Sequence, residues 1–126
     1  MNREWNDSQP IYRQLRDRAV HMILDGLLKE GDPLPSVRNV AAEFRVNPLT
    51  VLKAYQQLVD EGLVEMKRGL GMFVKAGAHD LLLKGERQKF LAEEWPRVAE
   101  KIQRLGLTPK ELDSAAAKRS FGKAKR

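Results

Sequence analysis

The sequence predicts a mainly α-helical fold, α+β in detail, with one β-hairpin and a helical extension after it. Three observations predict this. Apolar residues recur at helical spacing in three segments between residues 10 and 62. The second and third segments are joined by only about three residues, "RVN" at 45–47. Two short β-prone runs then flank "RGLG" at 68–71. Three helices with a tight turn before the third, followed by a hairpin, are the order of a winged helix-turn-helix.

Residues 10–29 place Ile11, Leu15, Ala19, Met22, Ile23 and Leu27 on one face. A first helix is expected there, with Pro10 in its first turn and Gly31 at its exit. "EGDPLP", 30–35, reads as a turn-rich loop. The second helix, 36–44, opens on Ser36 as cap and lines up Val37, Val40, Ala41 and Phe44. The third opens on Asn47 as cap with Pro48 in its first turn, and Gly62 ends it. Val51, Ala54, Tyr55 and Leu58 form its core face. Leu49, Lys53 and Gln56 lie opposite, with Thr50 and Gln57 beside them. Strands are expected near 63–67 and 72–75, where Gly69 and Gly71 permit the positive φ of a hairpin loop. Lys67 and Arg68 are placed at its tip.

The C-terminal part changes character. Leu91, Trp95, Val98, Ile102 and Leu105 are spaced as an a/d seam, and with Phe90 they form the expected dimerisation face. Pro96 interrupts it, either kinking one helix or starting another, and pushes Trp95 away from the α region. "TPKE", 108–111, is a capping box for a last helix, about 109–117. The chain therefore divides into a winged helix at 1–76, a helical dimerisation region at 77–117, and a basic tail at 118–126 expected to be disordered.

Charge excludes less than the pI of 9.8 suggests. Residues 1–75 hold 11 Lys/Arg against 10 Asp/Glu, and 76–117 hold 7 of each. The tail carries the remaining 5 basic residues and no acid. The net charge of +6 thus reports mainly the tail and says little about the folded part. No run of eighteen apolar residues marks a membrane span, and "MNREWNDSQP" does not resemble a signal peptide. A cytoplasmic protein is expected. With no cysteine there is neither a disulfide frame nor a thiolate metal site.

Catalysis is not expected. His79 beside Asp80 makes no metal site alone, His21 reads as a helix-packing residue, and "GLG" is far from a dinucleotide fingerprint. No cofactor is implied. The helix-turn-helix and wing instead suit nucleic acid: helix N-termini offer N–H groups to phosphate, Lys53 can donate to guanine O6/N7 or to phosphate, and Leu49 can meet a thymine methyl group. The wing can bring backbone N–H groups and a cation against phosphate or into a minor groove.

"LPSVRNVA", "VNPLTV", "AYQQLVDEGLV" and "RGLGMFV" occur in that order within residues 10–74. They resemble the DNA-binding domain of the GntR family of bacterial transcriptional regulators. The short C-terminal region is similar to that of its YtrA-like subgroup, in which a few helices serve dimerisation. The resemblance implies a homodimeric, sequence-specific regulator, a repressor, on pseudo-palindromic double-stranded operator DNA. It implies phosphate or base contact by Arg38, phosphate contact by Thr50, and wing-tip roles for Arg68, Gly69 and Gly71. The DNA-binding set is Ser36, Arg38, Asn47, Pro48, Leu49, Thr50, Lys53, Lys67, Arg68, Gly69 and Gly71. Family arginines are commonly found where this chain has Pro48 and Leu52; here the cation stands at Lys53. A small-molecule effector is left open. The alternative reading is a winged helix used for protein–protein or RNA contact.

Overall fold

The computed structural model describes residues 5–119. The element order is α1 (Ile11–Leu24), α2 (Val37–Phe44), α3 (Pro48–Asp60), β1 (Val64–Lys67), β2 (Gly71–Val74), α4 (Ala78–Lys89), a π-helical turn (Phe90–Glu94), α5 (Trp95–Leu105) and α6 (Pro109–Arg119). It is a helix-rich winged helix with an antiparallel hairpin. Two compact units divide at Gly85 and Glu86.

In the N-terminal unit, Leu15, Ile23, Phe44, Val51, Ala54, Leu58, Leu63, Val64 and Val74 are buried in one core. The face of α3 anticipated as core, Val51, Ala54, Tyr55 and Leu58, is buried; Leu49, Lys53 and Gln56 are exposed. Period 3.6 puts the first set on one stripe, and the burial of that stripe against α1 and α2 holds α3 in place. Arg16 of α1 forms a two-pronged ion pair with Glu61 just beyond α3, and Gln57 Nε2 donates to the same carboxylate at 2.8 Å. Burial works against the Glu61 charge, but the Arg16 and Gln57 hydrogen bonds and the guanidinium's charge outweigh it. The carboxyl is held below its ordinary value. Its contribution to stability is present above the ordinary carboxylate pKa and is lost as pH falls.

The first helix is shorter than its periodicity suggests. It ends at Leu24, not Lys29, in a Schellman motif: Gly26 N–H donates to Ile23 O and Leu27 N–H to Met22 O. Gly26 takes φ +83°, so the chain turns away. Leu27, expected on the core face, is 69% exposed and Leu28 is buried in its stead. α3 ends in the same motif at Gly62, and α5 at Gly106. At the end of α2 this left-handed position falls to Arg45, φ +55°. A non-glycine residue there is strained by the approach of Cβ to the carbonyl oxygen. Arg45→Gly is expected to raise the unfolding free energy by about 0.5–1 kcal/mol, net of glycine's greater unfolded-state entropy. Chemical denaturation would show this as a higher midpoint at unchanged slope.

The hairpin pairs Val64 with Val74 through Lys67 with Gly71. Its second edge is occupied by the segment that reads as a plain loop. Leu34 N–H donates to Met72 O at 2.8 Å, Val74 N–H to Asp32 O at 2.9 Å, and Pro33 bridges to Phe73. Prolines mask this segment in sequence, yet they are tolerated on a sheet edge because the missing N–H faces outward.

Beyond Gly85, α4 runs into the π-helical turn and then α5. Pro96 lacks the N–H that residue 92 would accept, and the wider turn absorbs the loss: Trp95 N–H donates to Phe90 O. Trp95 was expected outside the α region but has φ −56°, ψ −41°. The π turn gives the proline ring room, so the helical path continues. The 108–111 capping box closes as read, with Glu111 N–H donating to Thr108 Oγ1 and Thr108 N–H to Glu111 Oε1. Lys118 and Arg119, assigned to the tail, extend α6; the rest of the tail lies outside the described residues.

Candidate nucleic-acid interface

Two helix N-termini and the wing tip carry the candidate residues. Ser36 caps α2, accepting from Asn39 N–H at 3.0 Å, which leaves its hydroxyl proton available to an anion. Arg38 follows, exposed, in the first turn of α2. Asn47 caps α3, accepting from Leu49 N–H at 2.8 Å, with Pro48 at the start where no N–H is needed. Each cap satisfies one N–H group in its turn; at α3 Pro48 has none and Thr50 N–H donates to Asn47 O at 2.8 Å, so that end offers negative charge its dipole.

Leu49 is 70% exposed and Thr50 is half-buried beside it. Lys53 Nζ lies 4.3 Å from the ring centroid of Tyr12 on α1. The aromatic face thus holds the cation in a set position on the exposed side of α3. Gln57, read as flanking the site, is engaged by Glu61.

At the wing, Lys67 is the last residue of β1, one short of the tip, and its Nζ stands 4.8 Å over the Phe73 ring. Arg68, Gly69 and Leu70 form the tip, closed by Leu70 N–H donating to Lys67 O at 2.8 Å. Gly69 has φ +78°, the value that the third residue of a type II turn requires. The tip faces the start of α2: Ser36, Val37, Leu70 and Gly71 share a cleft of about 220 Å³. The wing tip and the α2 N-terminus, far apart in the chain, therefore border one concave surface.

Sequence reasoning missed the groups that hold these residues in place. Tyr12 and Phe73 read only as apolar positions. Tyr55 reads as core, but its buried hydroxyl also donates to Pro35 O at 2.6 Å, tying α3 to the loop before α2. Burial pushes its pKa up to about 12. The folded state then keeps the proton more tightly than the unfolded chain, whose tyrosine titrates near ~10. Stability from this group is complete below that value and is lost as pH rises toward 12. Tyr55→Phe should flatten this alkaline limb of the stability–pH curve, measured by denaturation from neutral pH upward. An unaltered limb would assign it to another group.

Among the described residues no group of three or more His, Asp or Glu is placed to hold a metal. No helix among the described residues is long and apolar enough to cross a membrane.

Capped helix N-termini, an exposed cation-bearing helix face and a basic wing suit a DNA-binding regulatory protein. The chain belongs to the GntR family: the model "Bacterial regulatory proteins, gntR family" matches residues 11–74. It is 42% identical over 79 residues to the HTH-type transcriptional repressor YtrA of Bacillus subtilis (strain 168), a match spanning 63% of this chain and 61% of that protein. It is 32% identical over 112 residues to the HTH-type transcriptional regulator YhcF of the same organism, covering 89% and 91% of the two chains. The solved structure of YtrA from Sulfolobus acidocaldarius, a GntR-family transcription factor, superposes with a TM-score of 0.57 at 37% identity, over 73% of this chain and 97% of that one. The protein is a DNA-binding transcriptional regulator of this family, and the repressor YtrA is among its relatives.

Proposed function

We propose that the protein is a repressor that binds a pseudo-palindromic operator as a homodimer, with the start of α3 in the major groove and the wing beside it. The observation that carries this reading is the shared cleft of the wing tip and the α2 N-terminus. A DNA strand lying there would meet Ser36 and Arg38 from one side and Arg68 with the wing backbone from the other. Such contacts position the protein on the duplex, while α3 reads the bases.

In this reading Lys53, backed by the Tyr12 ring, donates to guanine O6/N7, and Leu49 packs on a thymine methyl group. The Thr50 hydroxyl holds phosphate, with the positive end of the α3 dipole behind it. Gly69 and Gly71 keep the wing thin. Lys67 adds charge from β1. The winged helix, 1–76, carries these contacts; the region from 77 to 117 supplies the dimer through Phe90, Leu91, Trp95, Val98, Ile102 and Leu105. All of these except the half-buried Ile102 are exposed, and Phe90 and Trp95 pack at 6.4 Å between ring centroids. A two-fold dimer explains why the operator would be palindromic. Occupying a promoter then excludes polymerase, in the cytoplasm.

The test is selection of genomic fragments by the purified protein at physiological salt. An enriched palindrome is expected; RNA or random duplex bound as well as any selected fragment would overturn the reading. On the selected operator, Lys53→Ala should weaken binding by about 1–3 kcal/mol relative to wild type. Equal affinity in a titration would remove Lys53 from the base-reading set.

A further inference from the structure

The wing tip carries a side chain that phosphate contact does not explain. Leu70 is 73% exposed at the extreme of the hairpin. The glycines on either side carry no side chain, so Leu70 is flanked by bare backbone while it borders the cleft at the start of α2. The tip is therefore a turn of three residues bearing Arg68 and one large, mostly exposed apolar group, Leu70. Leucine can neither pair with phosphate nor hydrogen-bond to the acceptors on the minor-groove floor. Its gain comes only from leaving water.

Resting on the DNA-binding reading above, we propose that Leu70 is a minor-groove wedge, inserted between two adjacent base pairs beside each half-site. Three features of the wing fit this task. The tip carries no side chain at Gly69 or Gly71, which limits its bulk toward a groove about 6 Å wide. Arg68 beside it, with Lys67 one residue back, supplies the positive charge that a narrow minor groove attracts. The wing is also braced: the Leu70 N–H to Lys67 O bond closes the tip, the β1–β2 ladder follows, and Leu34 N–H to Met72 O pins the far strand. A wedge acts only if its support does not give way when the bases resist.

Apolar wedges of this kind partly unstack a step and kink the duplex toward the major groove by about 20–90°. Pyrimidine–purine steps, TA and CA/TG, open most easily. The operator is then selected in part by a step that the protein does not read through hydrogen bonds. Leu70 sets that preference, and α3 sets the rest.

The experiment uses the full chain and the operator recovered by fragment selection. An adenine at each step flanking the half-sites is replaced in turn by 2-aminopurine, whose fluorescence rises on unstacking. End-to-end energy transfer reports the bend. Wild-type protein should raise the fluorescence at one step per half-site and shorten the end-to-end distance. Leu70→Ala should lose both signals and about tenfold or more in affinity, the loss expected when a leucine no longer leaves water. The salt dependence should not change, because no charge is removed. Leu70→Met should retain the bend. The exposure of Leu70 means these variants fold, and their thermal midpoints provide the control. Leu70→Ala that bends and unstacks the operator like wild type overturns the wedge while leaving the DNA-binding reading intact. Failure of the wild-type protein to select any duplex overturns both.

Discussion

Val98→Glu is expected to convert the protein to a monomer and to weaken operator binding by about 10²- to 10⁴-fold. Val98 lies at the middle of the Leu91–Leu105 seam on α5 and is 41% exposed. A glutamate there remains in water in the isolated chain, so α5 itself is unharmed. In a dimer across this seam, two carboxylates would be buried near one another without partners, which is costly. Separated winged helices bind half-sites independently and lose the effective concentration that joins the two events; that loss alone is about 10²–10⁴. Sedimentation at micromolar concentration reads the first effect and operator titration the second. Helix content by circular dichroism should stay constant. A Val98→Glu protein that still sediments as a dimer would place the interface elsewhere.

Leu58→Ala should destabilise the winged helix by about 2–5 kcal/mol. Leu58 is fully buried on α3, and its carbonyl also receives the Leu63 N–H that ends the helix. Removing most of the side chain forfeits its transfer free energy and leaves a cavity that helices anchored at both ends cannot close. For a small domain that is a large part of the total stability, which is about 5–15 kcal/mol in ordinary globular proteins. The consequence for function is indirect: α3 is held by its buried stripe, so its exposed stripe is presented only while the core holds. Urea denaturation should show a lower midpoint at unchanged slope. A loss below about 1 kcal/mol would mean that the core relaxes into the space.

What the sequence by itself determined is whatever rests on neighbours within about four residues. The core stripe of α3 follows from helical period. The caps at Ser36, Asn47 and Thr108 follow from side chains that reach a backbone N–H two or three residues on. The end of α3 at Gly62 and the turn at Gly69 follow from glycine's access to positive φ. The resemblance in four ordered motifs added the family, which the family match bears out.

Other features depended on groups far apart in the chain. Gly26 was the local signal for the end of α1, but Leu27 continued the apolar pattern, and Leu28 became the core residue only once the chain had turned. The 31–35 segment became the outer edge of the wing because β2 offered it hydrogen-bonding partners 38 or more residues away. Lys53 is placed by Tyr12, and the Tyr55 hydroxyl by a carbonyl 20 residues back. Arg16 finds Glu61 across 45 residues. These contacts form only after α1, α2 and α3 have packed, because a side chain's reach is short and its neighbours in space are chosen by the whole core. The exposed stripe of α3 was therefore legible in one dimension, while the contacts that hold it in place are a product of three.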